Sequence, residues 1–186
     1  MCKTQIFDPF QDRLSRDLRN ELSAALAQGL AEDDPAPVRQ VADRYLAMGL
    51  PTCYNAYLVD RLARYGQALE SIRRNGYDDA LHRGMVLWDL GLFFEVHEVL
   101  EEAWHKATGG EKKILQALIR AAGVYIKLEY GYKEAAAKMA ARAVAVLEKE
   151  RQAVPAGINL ALLLQKLKAL DPLPPRLLAP PPRLNG

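Results

Sequence analysis

The chain has 186 residues, of which half are hydrophobic and 26% are charged, and its formal net charge is +2. This length and composition are typical of a globular protein with a sizeable core, and they exclude a disordered or fibrous chain. The small net charge gives no reason to expect nucleic acid as a partner.

The cysteine usage and the hydropathy pattern bear on the cellular setting. Cys2 and Cys53 form no C-x-x-C pair, which excludes a disulfide scaffold and favours a reducing compartment. No signal-peptide pattern follows Met1, and no run of about 18 apolar residues could cross a bilayer. We therefore expect a cytoplasmic protein that has no membrane partner.

Residues 1–77 predict three helices that pack on the remaining chain. The run Asp8-Pro9-Phe10-Gln11 has the spacing of a helix start, with Asp8 as the cap, and a leucine stripe follows it. The acidic, proline-containing segment 32–37 ends this helix. A short second helix is expected over 38–48, and the third runs from 52 to 74 before Asn75-Gly76.

Residues 78–171 predict the helical core of the protein. Asp78 is expected to cap a helix over 79–88, and a turn at Gly91 leads into a helix that Gly109-Gly110 ends. Further helices are expected over 111–130, 133–153 and 158–170. The first of these is apolar on nearly every side, which predicts a central position. Residues 172–186 contain six prolines and predict an extended, untethered tail.

The periodicity of the chain indicates its fold class. No segment alternates between apolar and polar residues with a period of two, so we predict an all-α protein, a multi-helix bundle of about eight helices. The helix-turn-helix over 79–105 has the rhythm of a tetratricopeptide-type hairpin. Gly84, Leu87, Gly91 and Phe94 stand in comparable roles.

One helix face within residues 88–105 concentrates titratable groups. At about 100° per residue, the apolar side chains of this helix fall on one broad stripe that must face a core. The opposite arc holds His97, Glu98, Glu101, Glu102 and His105. Phe94 lies in the middle of this polar arc. A large aromatic side chain there predicts that another element covers part of the arc.

The same stretch carries a family resemblance. Residues 84–91 read Gly-Met-Val-Leu-Trp-Asp-Leu-Gly, and residues 94–104 read Phe-Glu-Val-His-Glu-Val-Leu-Glu-Glu-Ala-Trp. These runs resemble the DUF309 family of small helical proteins, which have no assigned function. The likeness continues through 115–119 and Gly131, so that it covers roughly residues 78–170. It implies an all-helical fold and no particular activity. Ala117 and Arg120 depart from the family pattern, which shows Gly and Gln there.

A polar stripe on the 111–130 helix is the predicted partner of the arc. Gln116, Arg120 and Lys127 share this stripe, and we expect it to face the arc, with Arg120 paired to Glu98 or Glu101. Such a buried network would hold the bundle in one arrangement. The predicted network comprises His97, Glu98, Glu101, Glu102, Trp104, Gln116 and Arg120.

Several functions are compatible with these residues. The preferred one is a non-catalytic interaction or scaffold module, which would meet an unknown protein partner or a second copy through an apolar groove or the tyrosine stripe Tyr54, Tyr57 and Tyr65.

The alternative is a small-molecule hydrolase or lyase. In it His97 would be the general base, Glu98 and Glu101 would orient it, and Arg120 would bind an anionic substrate. A metal site is the third possibility, because His97, Glu101 and His105 are spaced i, i+4, i+8. The cationic stripe expected opposite them would repel a metal ion. We therefore predict no metal and no cofactor, and the sequence leaves open whether the chain is an enzyme.

Overall fold

The computed structural model describes residues 6–178, and within them it contains eight α-helices and one short 3-10 helix. The described residues form no strand, so the prediction of an all-α, multi-helix bundle is confirmed. None of these helices is long and apolar enough to cross a membrane. The chain divides into two compact units, the first ending at Gly76 and the second beginning at Tyr77. That the N-terminal helices pack on the remaining chain stays a prediction.

The first unit consists of α1 (Arg13–Glu32), α2 (Ala36–Ala47) and α3 (Thr52–Asn75). Its core contains the buried side chains of Leu18, Leu22, Leu26, Tyr54, Leu58 and Tyr65. Two members of the tyrosine stripe are therefore core residues, and the stripe is not the tyrosine-rich surface that was one candidate for partner binding.

The start of α1 differs from its prediction. Asp12, and not Asp8, caps the helix: its Oδ2 accepts hydrogen bonds from the backbone N–H of Ser15 at 2.7 Å and from the Tyr54 hydroxyl at 2.8 Å. Asp8 instead accepts a bond from Phe10 N–H at 2.8 Å, within the preceding turn. Asp12 has a second partner in the core tyrosine, which local sequence spacing cannot reveal.

The second unit contains α4 (Ala80–Asp89), α5 (Phe93–Lys106), α6 (Gly109–Glu129), α7 (Lys133–Lys149), the 3-10 helix Arg151–Ala153 and α8 (Leu160–Ala169). Two predicted boundaries are wrong. Asp79 rather than Asp78 caps α4, accepting a bond from His82 N–H at 2.9 Å. Gly109 begins α6 rather than ending α5, because α5 already ends before the extended Ala107, and Gly109 adopts a φ of 60° that glycine tolerates.

The core of the second unit lies around α6, as predicted. This helix packs against both α5 and α7, and its buried positions include Ala117, Leu118, Ala121, Ala122 and Val124. The hairpin of α4 and α5 closes tightly at Gly84. A Cβ at this position would lie 2.8 Å from Cδ2 of Leu100. The glycine is therefore what permits the two helices to approach so closely.

The chain returns to α4 after α8. Residues 171–178, here called the strap, are non-helical, and within them Leu177 is completely buried. Leu178 forms an isolated antiparallel bridge with Ile158. The prediction of an untethered tail is wrong for residues 172–178, which belong to the packed structure. Residues 179–186 of the predicted tail lie outside the described residues.

Candidate functional site

Three of the predicted site residues meet on one face of α5. His97 Nδ1 lies 3.4 Å from Glu98 Oε1 and 3.7 Å from Glu101 Oε2. The side chains of His97, Glu98 and Glu101 are 36%, 30% and 45% exposed, so the cluster is half-buried, and the Nδ1 atom of His97 within it is buried. The helix places them together because positions i and i+4 share a face, while Glu98 reaches the imidazole from the adjacent position.

The two glutamates of this cluster have no lysine or arginine as an ion-pair partner in the part of the chain that the structure describes, where no such nitrogen lies within 4.0 Å of Glu98 or Glu101. The ring of Phe94 lies nearly parallel to the imidazole, with 6.1 Å between ring centroids and 10° between planes. This aromatic side chain covers one side of His97, which fits its unusual place in the polar arc.

The predicted pairing of Arg120 with Glu98 or Glu101 is wrong. Among the described residues Arg120 makes no ion pair within 4.0 Å. The reason is the rotation of α6. Gly123, on the same stripe as Arg120 and Gln116, faces α7, since a Cβ there would meet Cε of Met139 at 2.3 Å. The opposite side of α6 carries Tyr125, which contacts Phe93 of α5.

The remaining predicted residues of the arc do not join the cluster. Glu102 pairs instead with Lys106, one turn along α5, with 2.7 Å between the charged atoms. His105 is exposed and packs edge-on against Trp104, with 4.9 Å between ring centroids. The ammonium group of Lys112 lies 4.6 Å from the Trp104 ring. Among the candidate metal ligands, the structure therefore brings together His97 and Glu101 with Glu98, and not with His105.

A buried carboxylate on α5 escaped the sequence reading. Glu95 is only 1% exposed, and the sequence pattern did not predict its burial. At about 100° per residue Glu95 lies on the boundary of the apolar stripe, near Val99. This position next to the apolar stripe was the one feature of the sequence that could have indicated its burial. An acidic residue there is buried or exposed depending on the neighbouring helix, which the pattern of α5 alone does not give.

Side chains at the end of α4 form hydrogen bonds with the backbone of the strap. The indole Nε1 of Trp88 donates to Pro175 O at 2.9 Å. The carboxylate of Asp89 accepts from the N–H groups of Leu177 and Leu178, at 2.6 and 3.1 Å. Asn159, just before α8, donates its N–H to Leu177 O at 2.8 Å. The side chains of Trp88 and Asp89, with the backbone of Asn159, are called the clamp below.

The electrostatics of the clamp centre on Asp89. Burial raises the pKa of its carboxyl, and this effect outweighs the hydrogen bonds from Leu177 and Leu178 and the charge of Arg176, which act in the opposite direction. The ionised carboxylate is therefore held in a partly desolvated place. Its two backbone donors come from the strap, so that the strap provides most of the local compensation for this charge.

An aromatic cluster lies next to the clamp. Trp88 packs edge-on against both Phe93 and Tyr125, at centroid distances of 5.2 and 5.3 Å. Burial, together with the charge of Asp171, raises the pKa of the Tyr125 hydroxyl. This hydroxyl has no hydrogen-bond partner among residues 6–178. The cluster fixes the indole, and hence the direction in which its N–H points.

A separate cavity of about 250 Å³ lies between α7 and α8. Its lining consists of Ala137, Ala140, Ala141, Val144, Leu167, Lys168 and Leu170. These side chains include no histidine, carboxylate or hydroxyl group. The cavity therefore offers a largely apolar surface whose one charged group, Lys168, is paired with Glu148, and none of the predicted site residues line it.

Comparison with known proteins identifies the central part of the chain. Residues 81–139, about a third of the sequence, match the family described as "Domain of unknown function (DUF309)". The match spans α4, α5, α6 and the first part of α7, and it confirms the resemblance to DUF309 over these residues, whereas the expected extension to about residue 170 stays a prediction. No curated protein and no solved structure matches the chain significantly.

Proposed function

We propose that this DUF309 protein is a non-catalytic interaction module that binds an extended, proline-containing segment at the clamp. The observation that supports the proposal is the strap itself, which occupies the clamp: Trp88 and Asn159 donate hydrogen bonds to its carbonyl oxygens, and Asp89 accepts hydrogen bonds from its N–H groups. In this chain the module carries such a segment in cis. We infer a cytoplasmic setting from the cysteine usage of the sequence alone.

The chemistry of the clamp suits recognition of an extended peptide. Main-chain hydrogen bonds provide affinity for extended backbone, and pockets for single side chains provide specificity. Here the buried Leu177 is the side chain that is selected. Pro174 and Pro175 restrict the backbone before binding, which lowers the entropy lost when the segment is ordered.

A partner must compete with the strap. Because the strap is tethered to α8 by a short connection, its effective concentration at the clamp is on the order of millimolar or higher. The partner that fits is a second copy of the chain, or another protein, with a leucine-containing segment that follows proline. Such a partner would bind by exchange for the strap.

The test uses the chain truncated after Asp171 and a fluorescent peptide of residues 172–186. Circular dichroism first establishes that the truncated chain is helical. We expect fluorescence anisotropy to show saturable binding to the truncated chain and much weaker binding to the full chain, where the strap competes. A peptide with Leu177→Asp is the matched control and should not bind. If a folded truncated chain does not bind the peptide, the strap is only a part of the fold and the proposal fails.

A second candidate function has one specific observation in its favour. The imidazole of His97 lies within 4 Å of two carboxylates, an arrangement that can orient a general base in a small-molecule hydrolase or lyase. Because Arg120 makes no ion pair with Glu98 or Glu101, this candidate loses the guanidinium that the sequence pattern assigned to an anionic substrate. A panel of ester and lactone substrates, assayed with the unchanged protein and with His97→Ala, tests it. Turnover that His97→Ala abolishes would replace the non-catalytic proposal.

A further inference from the structure

We propose that His97, Glu98 and Glu101 bind one divalent transition-metal ion on the half-buried polar face of α5. One nitrogen and two carboxylate oxygens, one from each residue, lie within 4.8 Å of one another. These residues do not take part in the clamp, so the site is independent of the proposed peptide binding. It differs from the triad suggested by sequence spacing, because Glu98 takes the place of His105.

The distances are close to those of a coordinated ion. Ligand atoms about 2.0–2.2 Å from a zinc ion are separated from one another by roughly 3.0–3.5 Å when the angles are octahedral to tetrahedral. The observed separations from His97 Nδ1 are 3.4 and 3.7 Å. The third separation, between the two carboxylate oxygens, is within 4.8 Å, and rotation of the two glutamate side chains would bring these oxygens to the distance that a shared ion requires.

The charge of the cluster favours a cation. Glu98 and Glu101 place two negative charges beside one imidazole, and within residues 6–178 no lysine or arginine neutralises them. Other carboxylates of the second unit have such a partner, for example Glu102 with Lys106 and Glu150 with Lys113. In a half-buried place the repulsion between two carboxylates is screened less than in bulk water, so that a bound divalent ion is more stabilising there.

The ligand set indicates which ions are accepted. An imidazole nitrogen with two carboxylate oxygens suits Zn²⁺, Mn²⁺, Co²⁺ or Ni²⁺, whereas Ca²⁺ and Mg²⁺ prefer oxygen ligands alone. Three protein ligands leave at least one coordination position for water or a small anion. The ring of Phe94 lies nearly parallel to the imidazole, with 6.1 Å between ring centroids, and adds an apolar neighbour to the site.

Isothermal titration calorimetry of the metal-free full chain with ZnCl₂ tests the site. We expect binding of one equivalent of Zn²⁺. Loss of an outer-shell group already weakens metal binding by about 10–100-fold, so loss of a ligand by His97→Ala or Glu101→Gln should weaken it by at least about tenfold. Glu98→Gln, which keeps the size of the side chain, should weaken Zn²⁺ binding to a similar extent. This variant tests the site if His97→Ala fails to fold.

The other two histidines of the chain provide matched controls. His105 is exposed on the same helix, and His82 bonds to Asp79 on α4, so His105→Ala and His82→Ala should bind Zn²⁺ as the unchanged protein does. Substitution of Co²⁺ adds a spectroscopic check, because a thiolate-to-metal band would instead identify a cysteine, Cys2 or Cys53, as a ligand. The proposal is overturned if the full chain binds neither Zn²⁺ nor Co²⁺, if that band appears, or if the control variants lose binding as His97→Ala does.

Discussion

The indole N–H of Trp88 and the carbonyl oxygen of Pro175 form a buried hydrogen bond of 2.9 Å between residues 87 positions apart. This bond joins the last turn of α4, within the DUF309 segment, to the strap that follows α8. The DUF309 helices are therefore completed by a segment that lies outside the residues matched by the family.

Replacing Trp88 by Phe should destabilise the protein through this bond. Pro175 O would lose its buried donor, and the free energy of unfolding should decrease by about 1–3 kcal/mol, with a further loss from the smaller ring. Urea unfolding followed by circular dichroism measures the change. Trp104→Phe is the control, because Trp104 is half-buried and contacts Lys112 rather than the strap. Equal losses in the two variants would contradict the role of the bond.

Replacing Asp89 by Ala should loosen the strap without unfolding the helices. The N–H groups of Leu177 and Leu178 would lose their acceptor, and each such loss costs about 1–3 kcal/mol when the group stays buried. Amide hydrogen exchange at these two positions should therefore become faster. Asp79→Ala, at the other end of α4, should leave their exchange unchanged. Slow exchange in Asp89→Ala would mean that other groups hold the strap.

The raised pKa of Asp89 has a consequence for stability against pH. Between the unfolded value near 3.8 and the folded value, the folded state keeps a proton that the unfolded state has lost. The contribution of Asp89 to the free energy of unfolding therefore decreases as pH rises through this window. Asp89→Asn should remove this decrease from the pH profile. Carboxyl carbon NMR checks the premise, and a pKa below 3.8 would contradict it.

Asp12 should show the opposite dependence on pH. Hydrogen bonds from the Ser15 side chain, and also from Ser15 N–H and the Tyr54 hydroxyl, lower the pKa of its carboxyl. Its stabilisation is present above pH 3.8 and is lost as pH falls through the folded pKa. At neutral pH, Asp12→Ala should lower the free energy of unfolding by about 0.5–2 kcal/mol, as for other N-caps.

Two variants separate the parts of this effect. Tyr54→Phe removes the hydroxyl bond to Asp12 and leaves both Ser15 bonds to that carboxylate in place, so its effect on the pH dependence should be smaller than that of Asp12→Ala. Asp8→Ala, in the turn before α1, should not reproduce the pH dependence. Urea unfolding at neutral and acidic pH measures all three variants. An Asp12→Ala deficit that persists undiminished at acidic pH would show that the carboxylate charge is not responsible.

Two glycines at helix contacts should respond differently to alanine. At Gly84 the added Cβ would lie 2.8 Å from Cδ2 and 3.1 Å from Cγ of Leu100, a buried core side chain. At Gly123 it would meet the terminal methyl of Met139, which is flexible and only half-buried. Alanine gains up to about 1 kcal/mol of helix propensity at either site.

Overpacking should outweigh this gain at Gly84 alone. We expect Gly84→Ala to lower the melting temperature, since overpacking a core costs about 1–3 kcal/mol, and Gly123→Ala to leave it nearly unchanged. Differential scanning calorimetry of the two variants measures the contrast. A Gly123→Ala variant that is the less stable of the two would show that Met139 cannot move aside.

Local patterns in the sequence predict where each helix lies better than they predict which helices pack against each other. The periodicity of α5 separated its apolar stripe from the polar arc, and it brought His97 and Glu101 together as observed. Arg120 and Gly123 also share one side of α6, as helical periodicity predicts, but the sequence pattern does not tell which neighbouring helix that side meets. Which neighbour a helix face meets depends on the rotation of the helix in the bundle, and the contact of Gly123 with Met139 fixes that rotation toward α7.

The strap was beyond sequence reasoning for a different reason. Proline-rich composition describes a segment that cannot form a helix, and it says nothing about whether the backbone finds partners. The partners of the strap are the side chains of Trp88 and Asp89, far away in the chain. One indirect sign is Trp88 itself, since a buried indole needs an acceptor for its N–H.

The distance along the chain between Trp88 and Pro175 also orders events during synthesis. Ribosomes add about 5–20 residues per second, so the strap emerges roughly 4 to 17 s after the end of α4. Throughout that interval the indole N–H of Trp88 lacks its acceptor in the strap, and the carboxylate of Asp89 lacks its two backbone donors. Any factor that binds newly made chains would find this end of the hairpin accessible until translation has passed residue 178.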